Sequence, residues 1–310
     1  MAELYLITGF LGSGKSTFLK NFIRLFEGKR IQLIINEFGR EGVDGTLLAG
    51  LGISLEEITG GSVFCSCRID QFEKALRVFV REDTEVVLVE ASGLSDPTGV
   101  RRLLGSEGRF SRIGYRGCIC LVDAVRFPKI YAKSRTCVKQ LASSDVVLIN
   151  KTDAATKEQL EKTQNIIAGQ RPDVTVYKTA YGAVDGSMLS ALKSASLREH
   201  DGEKMSFAAD ISMRSLTITV SPAISVYRLE KFISMFADAA FRVKGFVQTK
   251  EGLMTVSCVG NALEIEPFAG SVSPHLVGKL VVLSGLGMPI VKRVKEAAAW
   301  YQEDIIRVEV

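Results

Sequence analysis

The 310-residue sequence has no uninterrupted apolar run near the ~18–20 residues that a membrane-spanning helix needs. Its longest candidate, Lys279–Val291, carries two glycines and a proline and reads as a strand, a turn and a helix start. Charge of one sign is also scarce. Against 35 acidic residues stand 39 basic ones, and an excess of +4 is too thin to argue for nucleic acid as a partner. Histidine occurs twice, at His200 and His275, and there is no internal repeat or low-complexity tract. The first ten residues lack the basic stretch and cleavage site of a signal peptide and run straight into a strand. These absences predict a cytoplasmic protein with no membrane partner, in a compartment where thiols stay reduced. Of the six cysteines, Cys118, Cys120, Cys137 and Cys258 sit in apolar surroundings and read as small buried hydrophobes.

What is present is ordinary for a globular chain: 46% hydrophobic and 24% charged residues. That composition excludes a disordered chain, a collagen-like fibre and a disulfide-stapled miniprotein. At roughly 150 residues per domain the length allows about two domains. Short apolar runs recur at Tyr5–Thr8, Ile31–Asn36, Glu85–Ala91, Cys118–Ala124, Val146–Asn150 and Val174–Lys178. Most are apolar on both faces, as strands of a parallel sheet covered by helices should be. Helix-period stretches at Ser16–Glu27, Gln71–Arg81 and Thr156–Gly169 alternate with them. The alternation predicts a doubly wound α/β domain over 1–198, with its ligand beyond the carboxyl ends of the strands. The polar, aperiodic Ser194–Ser206 points to a linker at 199–209. A smaller α+β domain is expected over 210–310. There Ser215–Val220 alternates like a half-buried strand, Val226–Ala240 has helical spacing, and Phe241–Gly260 reads as a hairpin turning at Lys250–Gly252.

Three segments carry chemistry. Gly9–Ser16, GFLGSGKS, fits G-x-x-x-x-G-K-[ST] between a strand and a helix. Gly9, Gly12, Ser13 and Gly14 would turn backbone N–H groups around a phosphate, and the helix that follows adds its positive end. Lys15 would reach the β- and γ-phosphates, Ser16 would ligate Mg²⁺, and Thr17 would continue the cradle into the helix. NKTD closes the strand Val146–Asn150. The Asp153 carboxylate can accept from N1–H and the 2-amino group of guanine, a donor pair that adenine lacks. Asn150 would contact the base edge and the Lys151 stem would cover its face. At the end of the next strand, within Thr179–Gly182, a backbone N–H at Ala180 could read guanine O6. Finally, Val86–Pro97 is an apolar strand ending in Glu90, placed to act beside Mg²⁺, with Gly93 able to bring its N–H to the γ-phosphate.

Together these motifs resemble the CobW/HypB/UreG family of SIMIBI-class P-loop GTPases, and most closely its CobW-like branch. That branch reads a phosphate loop, N-E-x-G, C-x-C-C, E-[ST]-[ST]-G-x-[AS]-[DE]-P and N-K-x-D in order. This chain has Gly9–Ser16, Asn36–Gly39 (NEFG), Glu90–Pro97 (EASGLSDP) and NKTD in that order, with Val122–Ala124 (VDA) also matching. Arg242, Lys244 and Gly245 in FRVKGF look like the core of the family's C-terminal domain. The resemblance implies a GTP-hydrolysing protein, often dimeric, that delivers or helps insert a metal or metal-containing cofactor. It implies that Glu37, Gly39 and the residues to Asp44 sense the γ-phosphate, in the manner of a nucleotide switch. Hydrolysis would rest on Lys15 and Mg²⁺ neutralising charge, and on Glu37 or Glu90 orienting the Mg²⁺ shell and the attacking water. No arginine finger is identifiable.

The chain departs from the family at the cysteines. Counted from Gly61, the family's three thiols fall on Ser62, Phe64 and Cys65, and a second thiol follows at Cys67. Two thiolates can hold a zinc, cobalt or nickel ion if Glu37, Glu41 or a second subunit completes the shell. A redox-active pair and an inert loop pair are the alternatives. Three functions follow. The first is a GTP-gated metallochaperone. The second is an assembly or reactivation factor for a metalloenzyme or corrinoid protein, favoured by the altered cysteines and scarce histidine. The third, a nucleotide-independent scaffold, is opposed by the intact phosphate loop and NKTD.

Overall fold

A computed structural model describes residues 1–35, 54–57, 69–98, 103, 110, 112–196, 213–260, 262–270, 272, 274–285 and 289–309. The chain divides into two compact units, Met1–Asp210 and Ile211–Val310. The linker expected at 199–209 lies outside the described residues.

The first unit is built on a seven-stranded sheet, β1 (Ala2–Gly9), β2 (Ile31–Ile35), β3 (Ser54–Glu57), β4 (Val86–Glu90), β5 (Ile113–Asp123), β6 (Val146–Asn150) and β7 (Thr175–Lys178). Its order is β3-β2-β4-β1-β5-β6-β7, and every neighbouring pair is parallel. Among the described residues its helices are α1 (Lys15–Ile23), α2 (Ile69–Phe79), α3 (Phe127–Tyr131), α4 (Arg135–Ala142), α5 (Lys157–Gln170) and α6 (Ser187–Ser196). Period two divides β1 between two cores. Tyr5 and Ile7 pack with Phe18 and Phe22 of α1, while Leu4 and Leu6 pack with Phe72 and Leu76 of α2. Such burial stabilises by about 1.5–3 kcal/mol per large apolar side chain, which is why these strands need apolar residues on both faces.

Register then fixes the ligand end. Ile7 lies opposite Glu90, Gly9 opposite Leu121 and Asp123 opposite Asn150, so β1 runs two residues past the end of β4, and β5 and β6 two residues further, all toward one edge of the sheet. The chain winds left and right from β1, and that reversal opens the crevice where α/β sheets bind ligands.

Several expected elements shift. The helix expected over Ser16–Glu27 stops at Ile23 and tightens into a 3₁₀ turn, Arg24–Phe26. That expected over Gln71–Arg81 runs Ile69–Phe79 instead. α5 opens on a capping box, with Thr156 and Gln159 each bonded to the other's backbone N–H. β7, an edge strand, leaves Thr175, Val176 and Lys178 exposed.

The second unit is a six-stranded antiparallel sheet. Its strands are β8 (Met213–Val220), β9 (Arg242–Thr249), β10 (Gly252–Val259), β11 (Ala262–Pro267), β12 (Lys279–Gly285) and β13 (Ile305–Glu309), in order β11-β10-β9-β12-β8-β13. Helices α7 (Val226–Ser234) and α8 (Ile290–Trp300) supply Leu229, Phe232, Ile233, Ile290 and Val294 to its core. The long helix expected to reach Ala240 ends at Ser234, followed by a 3₁₀ turn at Ala237–Ala239. The expected hairpin forms as β9 and β10. Among the described residues no helix is long and apolar enough to cross a membrane.

Candidate nucleotide site

The loop between β1 and α1 is shaped by glycine. Gly9, Gly12 and Gly14 take φ of 140°, 75° and 95°, conformations that a side chain makes costly. Space forbids a substitute as well: a Cβ on Gly9 would lie 2.3 Å from the Leu121 carbonyl oxygen, and one on Gly14 2.3 Å from Asn150 Nδ2. α1 begins on Gly14 with no side-chain cap hydrogen bond, and a helix N-terminus is a natural place for an anion. Lys15, 8% exposed, folds back to donate from Nζ to the Gly9 carbonyl at 3.0 Å. That places its ammonium across the mouth of the loop.

Glu90 ends β4 with 4% of its surface exposed and accepts from Ser16 Oγ at 3.0 Å. A strand-end carboxylate and the first hydroxyl of α1 thus meet across 74 residues of sequence. The loop after β4 is held against the phosphate loop. A Cβ on Gly93 would sit 2.6 Å from Leu11 Cδ2 and 2.8 Å from Leu11 N. From α4, buried Gln140 donates to the carbonyls of Gly93 (3.1 Å) and Ser95 (3.0 Å). Lys139 pairs with Asp96 at 2.7 Å, and Asp96 in turn accepts from Thr98 N–H at 3.1 Å. Gln140 and Lys139 were not among the residues expected from sequence. Their signal is a buried glutamine on the face of α4 that also buries Thr136, Cys137 and Leu141.

NKTD follows β6. Asn150, expected at the base edge, also binds backbone through both polar atoms of its amide, which leaves one Nδ2 N–H over. Nδ2 donates to Ser13 O at 2.9 Å and Oδ1 accepts from Gly182 N–H at 3.0 Å. The residue ties the phosphate loop to the loop after β7. Lys151, at φ 61°, pairs through Nζ with Asp123 Oδ2 at 2.9 Å. Asp123 is 6% exposed, and its other oxygen caps the turn by accepting from Val125 and Arg126 N–H. It therefore holds the Lys151 stem in place, a role absent from the sequence expectation. Asp153 is exposed and has no hydrogen bond or ion pair among the described residues. Ala180 is half-buried, and neither its N–H nor that of Tyr181 meets an acceptor among the described residues. Thr17 is exposed on the first turn of α1.

Beneath the phosphate loop lies a cavity of about 10 Å³ bounded by Leu11, Ser13, Cys120, Asp123, Cys137 and Gln140. Burial pushes the Cys120 thiol up to about 12, against the pull of the Lys15 ammonium. Burial raises Cys137 well above the ordinary thiol range, with Cys120 adding to the effect. Neither is poised as a thiolate, and Cys118 and Cys258 are buried too, as their apolar surroundings predict. Glu37, Glu41, Gly39, Asp44, Cys65 and Cys67 lie outside the described residues, as does His200. Among the described residues no cluster of three or more potential ligands forms a metal site.

The family description "CobW/HypB/UreG, nucleotide-binding domain" matches residues 3–178, and "Cobalamin synthesis protein cobW C-terminal domain" matches residues 213–290. Zinc chaperone YeiR of Escherichia coli K12 is 27% identical over 299 residues, covering 86% of this chain and 89% of that protein. Zinc chaperone YjiA of the same strain is 26% identical over 258 residues, covering 78% and 80%. A crystal structure of Zn(II)-bound YjiA GTPase from E. coli superposes with a TM-score of 0.47 at 21% identity, covering 96% of this chain and 98% of that one.

Proposed function

This chain belongs to the CobW/HypB/UreG family, and from that premise we propose that it binds and hydrolyses GTP and couples the nucleotide state to delivery or insertion of a metal. One observation carries the nucleotide half: the Asn150 amide joins the phosphate loop to the loop beside NKTD, making one site of a phosphate cradle and a base pocket.

The donor set fits magnesium, since the Ser16 hydroxyl and Glu90 carboxylate are hard oxygen ligands already 3.0 Å apart. Held by Ser16 and Glu90, magnesium would supply positive charge that neutralises the transferring group. The glycine loop and first turn of α1 hold the phosphates by N–H donation. Lys15 exchanges the Gly9 carbonyl for phosphate oxygens, bringing a fixed positive charge into a site with little water. Glu37 or Glu90 orients the attacking water. Asp153 selects guanine by accepting from N1–H and the 2-amino group, and Ala180 donates its N–H to O6. Lys151, anchored by Asp123, covers the base.

For the cargo, relatives named zinc chaperones support an ion, zinc foremost and cobalt or nickel next, and the Cys65 and Cys67 thiolates with Glu37 are the ligands we assign to it. A second reading has the protein act on a client metalloenzyme or corrinoid protein without carrying free ion. C-x-C in place of C-x-C-C, and only two histidines, favour it. A homodimer would complete a two-thiol shell in the first reading.

Calorimetry with Mg²⁺ present tests the nucleotide half. GDP and GTP are expected to bind, ADP to bind at least about tenfold more weakly, and Asp153→Ala to erase that preference. No heat with either guanine nucleotide overturns the proposal. Zinc titration of GTP-analogue-loaded protein separates the two cargo readings. The chaperone reading expects a Cys65→Ser/Cys67→Ser double variant to lose a site, and unchanged zinc binding sinks it.

A further inference from the structure

Asn21 lies on α1, six residues beyond Lys15 and outside every motif described above. Its Nδ2 donates to two carbonyls of the loop after β7, those of Tyr181 (3.1 Å) and Gly182 (3.1 Å). The C=O and N–H of one trans peptide point in opposite directions. The Tyr181–Gly182 peptide is therefore clamped from both sides: its oxygen by Asn21, its N–H by Asn150. Upstream, Thr179 N–H is taken by Ile149 O at 2.8 Å, and Thr179 O accepts from Thr152 N–H at 3.2 Å. Both ends of the loop are fixed, while the Ala180 and Tyr181 N–H groups between them meet no acceptor among the described residues.

The turn is also strained. Tyr181 takes φ 54°, which is rare for an aromatic residue, and the residue is 75% exposed, so packing does not impose the conformation. Gly182, at φ 64°, lies so close to α1 that a Cβ would fall 2.7 Å from Phe18 Cα. Strain of this kind persists only where the surroundings over-determine it. Asn21 is the side chain that draws these carbonyls onto α1.

We infer that Asn21 is a positioning residue for base selection, holding the Ala180 and Tyr181 N–H groups as paired donors for the 6-oxo group of a purine. The inference rests on the nucleotide reading of the site and adds the residue that sets its selectivity. A 6-oxopurine such as guanine or hypoxanthine offers these donors an acceptor. A 6-aminopurine meets them with another donor, so fixing the loop rejects adenine as well as accepting guanine.

Dissociation constants for GDP, IDP and ADP, measured with Mg²⁺ on the full chain, test this. Asn21→Ala is expected to weaken GDP and IDP alike by about tenfold, with ADP within about twofold of wild type, so that the GDP-to-ADP ratio collapses. Asn21→Asp, isosteric but facing two carbonyls with an acceptor, should weaken them further. Asn21→Gln, which keeps the amide, should recover part of the ratio. A folded Asn21→Ala with the wild-type ratio overturns the assignment, and so does parallel weakening of all three nucleotides, which marks a general loosening of α1. If Asn21→Ala does not fold, Asn21→Ser, which keeps one donor, is read by the same ratio. Wild-type protein that binds none of the three overturns the nucleotide reading itself, whereas wild-type selectivity that survives in the variants overturns Asn21 alone.

Discussion

Replacing Lys15 by alanine is expected to slow single-turnover GTP hydrolysis by about a hundred- to a thousandfold, or roughly 2.7–4 kcal/mol of transition-state stabilisation. The size follows from where the ammonium sits. It is 8% exposed and rests on the Gly9 carbonyl at 3.0 Å, so it is already desolvated at the mouth of the phosphate loop. A charge held in such a place costs no reorganisation when negative charge shifts on the transferring group, and it acts at lower dielectric than bulk water. Lys15→Arg should not rescue the rate. The planar guanidinium is larger and cannot take the place of a compact ammonium at the mouth of the phosphate loop. Quenched-flow or chromatographic assay of GTP converted in one turnover reads the effect. A loss below about fivefold would mean that the γ-phosphate charge is met by other groups.

How much of this site was legible in the sequence depends on the distance between partners. Gly9, Gly12, Gly14, Lys15 and Ser16 are readable because the loop's chemistry is contiguous backbone, and the spacing alone implies an inward-facing nest of N–H groups. Glu90 is readable as the acid that closes an apolar strand, and the structure puts it against Ser16. Asp123 closes a strand in the same way, yet its partner Lys151 belongs to a motif with its own expected task. The pair emerges only when β5 and β6 are set side by side. Asn150 is the plainest case. Its two backbone partners lie 137 and 32 residues away, and no local pattern announces an amide that ties two loops together.

The fold was legible to a similar depth. Two-faced apolar runs specify a parallel covered sheet, and the alternation at Ser215–Val220, which buries Leu216, Ile218 and Val220, specifies a strand with one face in the core. Strand order was not readable, because β4 inserting between β1 and β2 is a tertiary outcome of crossovers that period alone leaves open. The exposure of β7 follows from that order.

Asn150→Ala is expected to lower the melting temperature of the first unit by about 10 °C and GDP affinity by about a hundredfold. Asn150 is 2% exposed, and truncation leaves Ser13 O and Gly182 N–H without their side-chain partner in a buried place. Each such group costs about 1–3 kcal/mol, less where water can enter, so the pair sums to about 3 kcal/mol. At roughly 2–4 °C per kcal/mol for a unit of this size, that gives the expected shift. The affinity loss has a separate origin. With the tie gone, the phosphate loop and the Ala180 loop no longer share a frame, and GDP must order one against the other as it binds. The isosteric Asn150→Asp keeps an acceptor for Gly182 N–H but turns a carboxylate oxygen toward the Ser13 carbonyl. It should therefore be at least as damaging as alanine, although its volume is unchanged. Differential scanning calorimetry with and without GDP separates the two effects. Variants that melt within about 2 °C of wild type and bind GDP within about threefold would mean that the two loops are held in register by packing, with the amide a bystander.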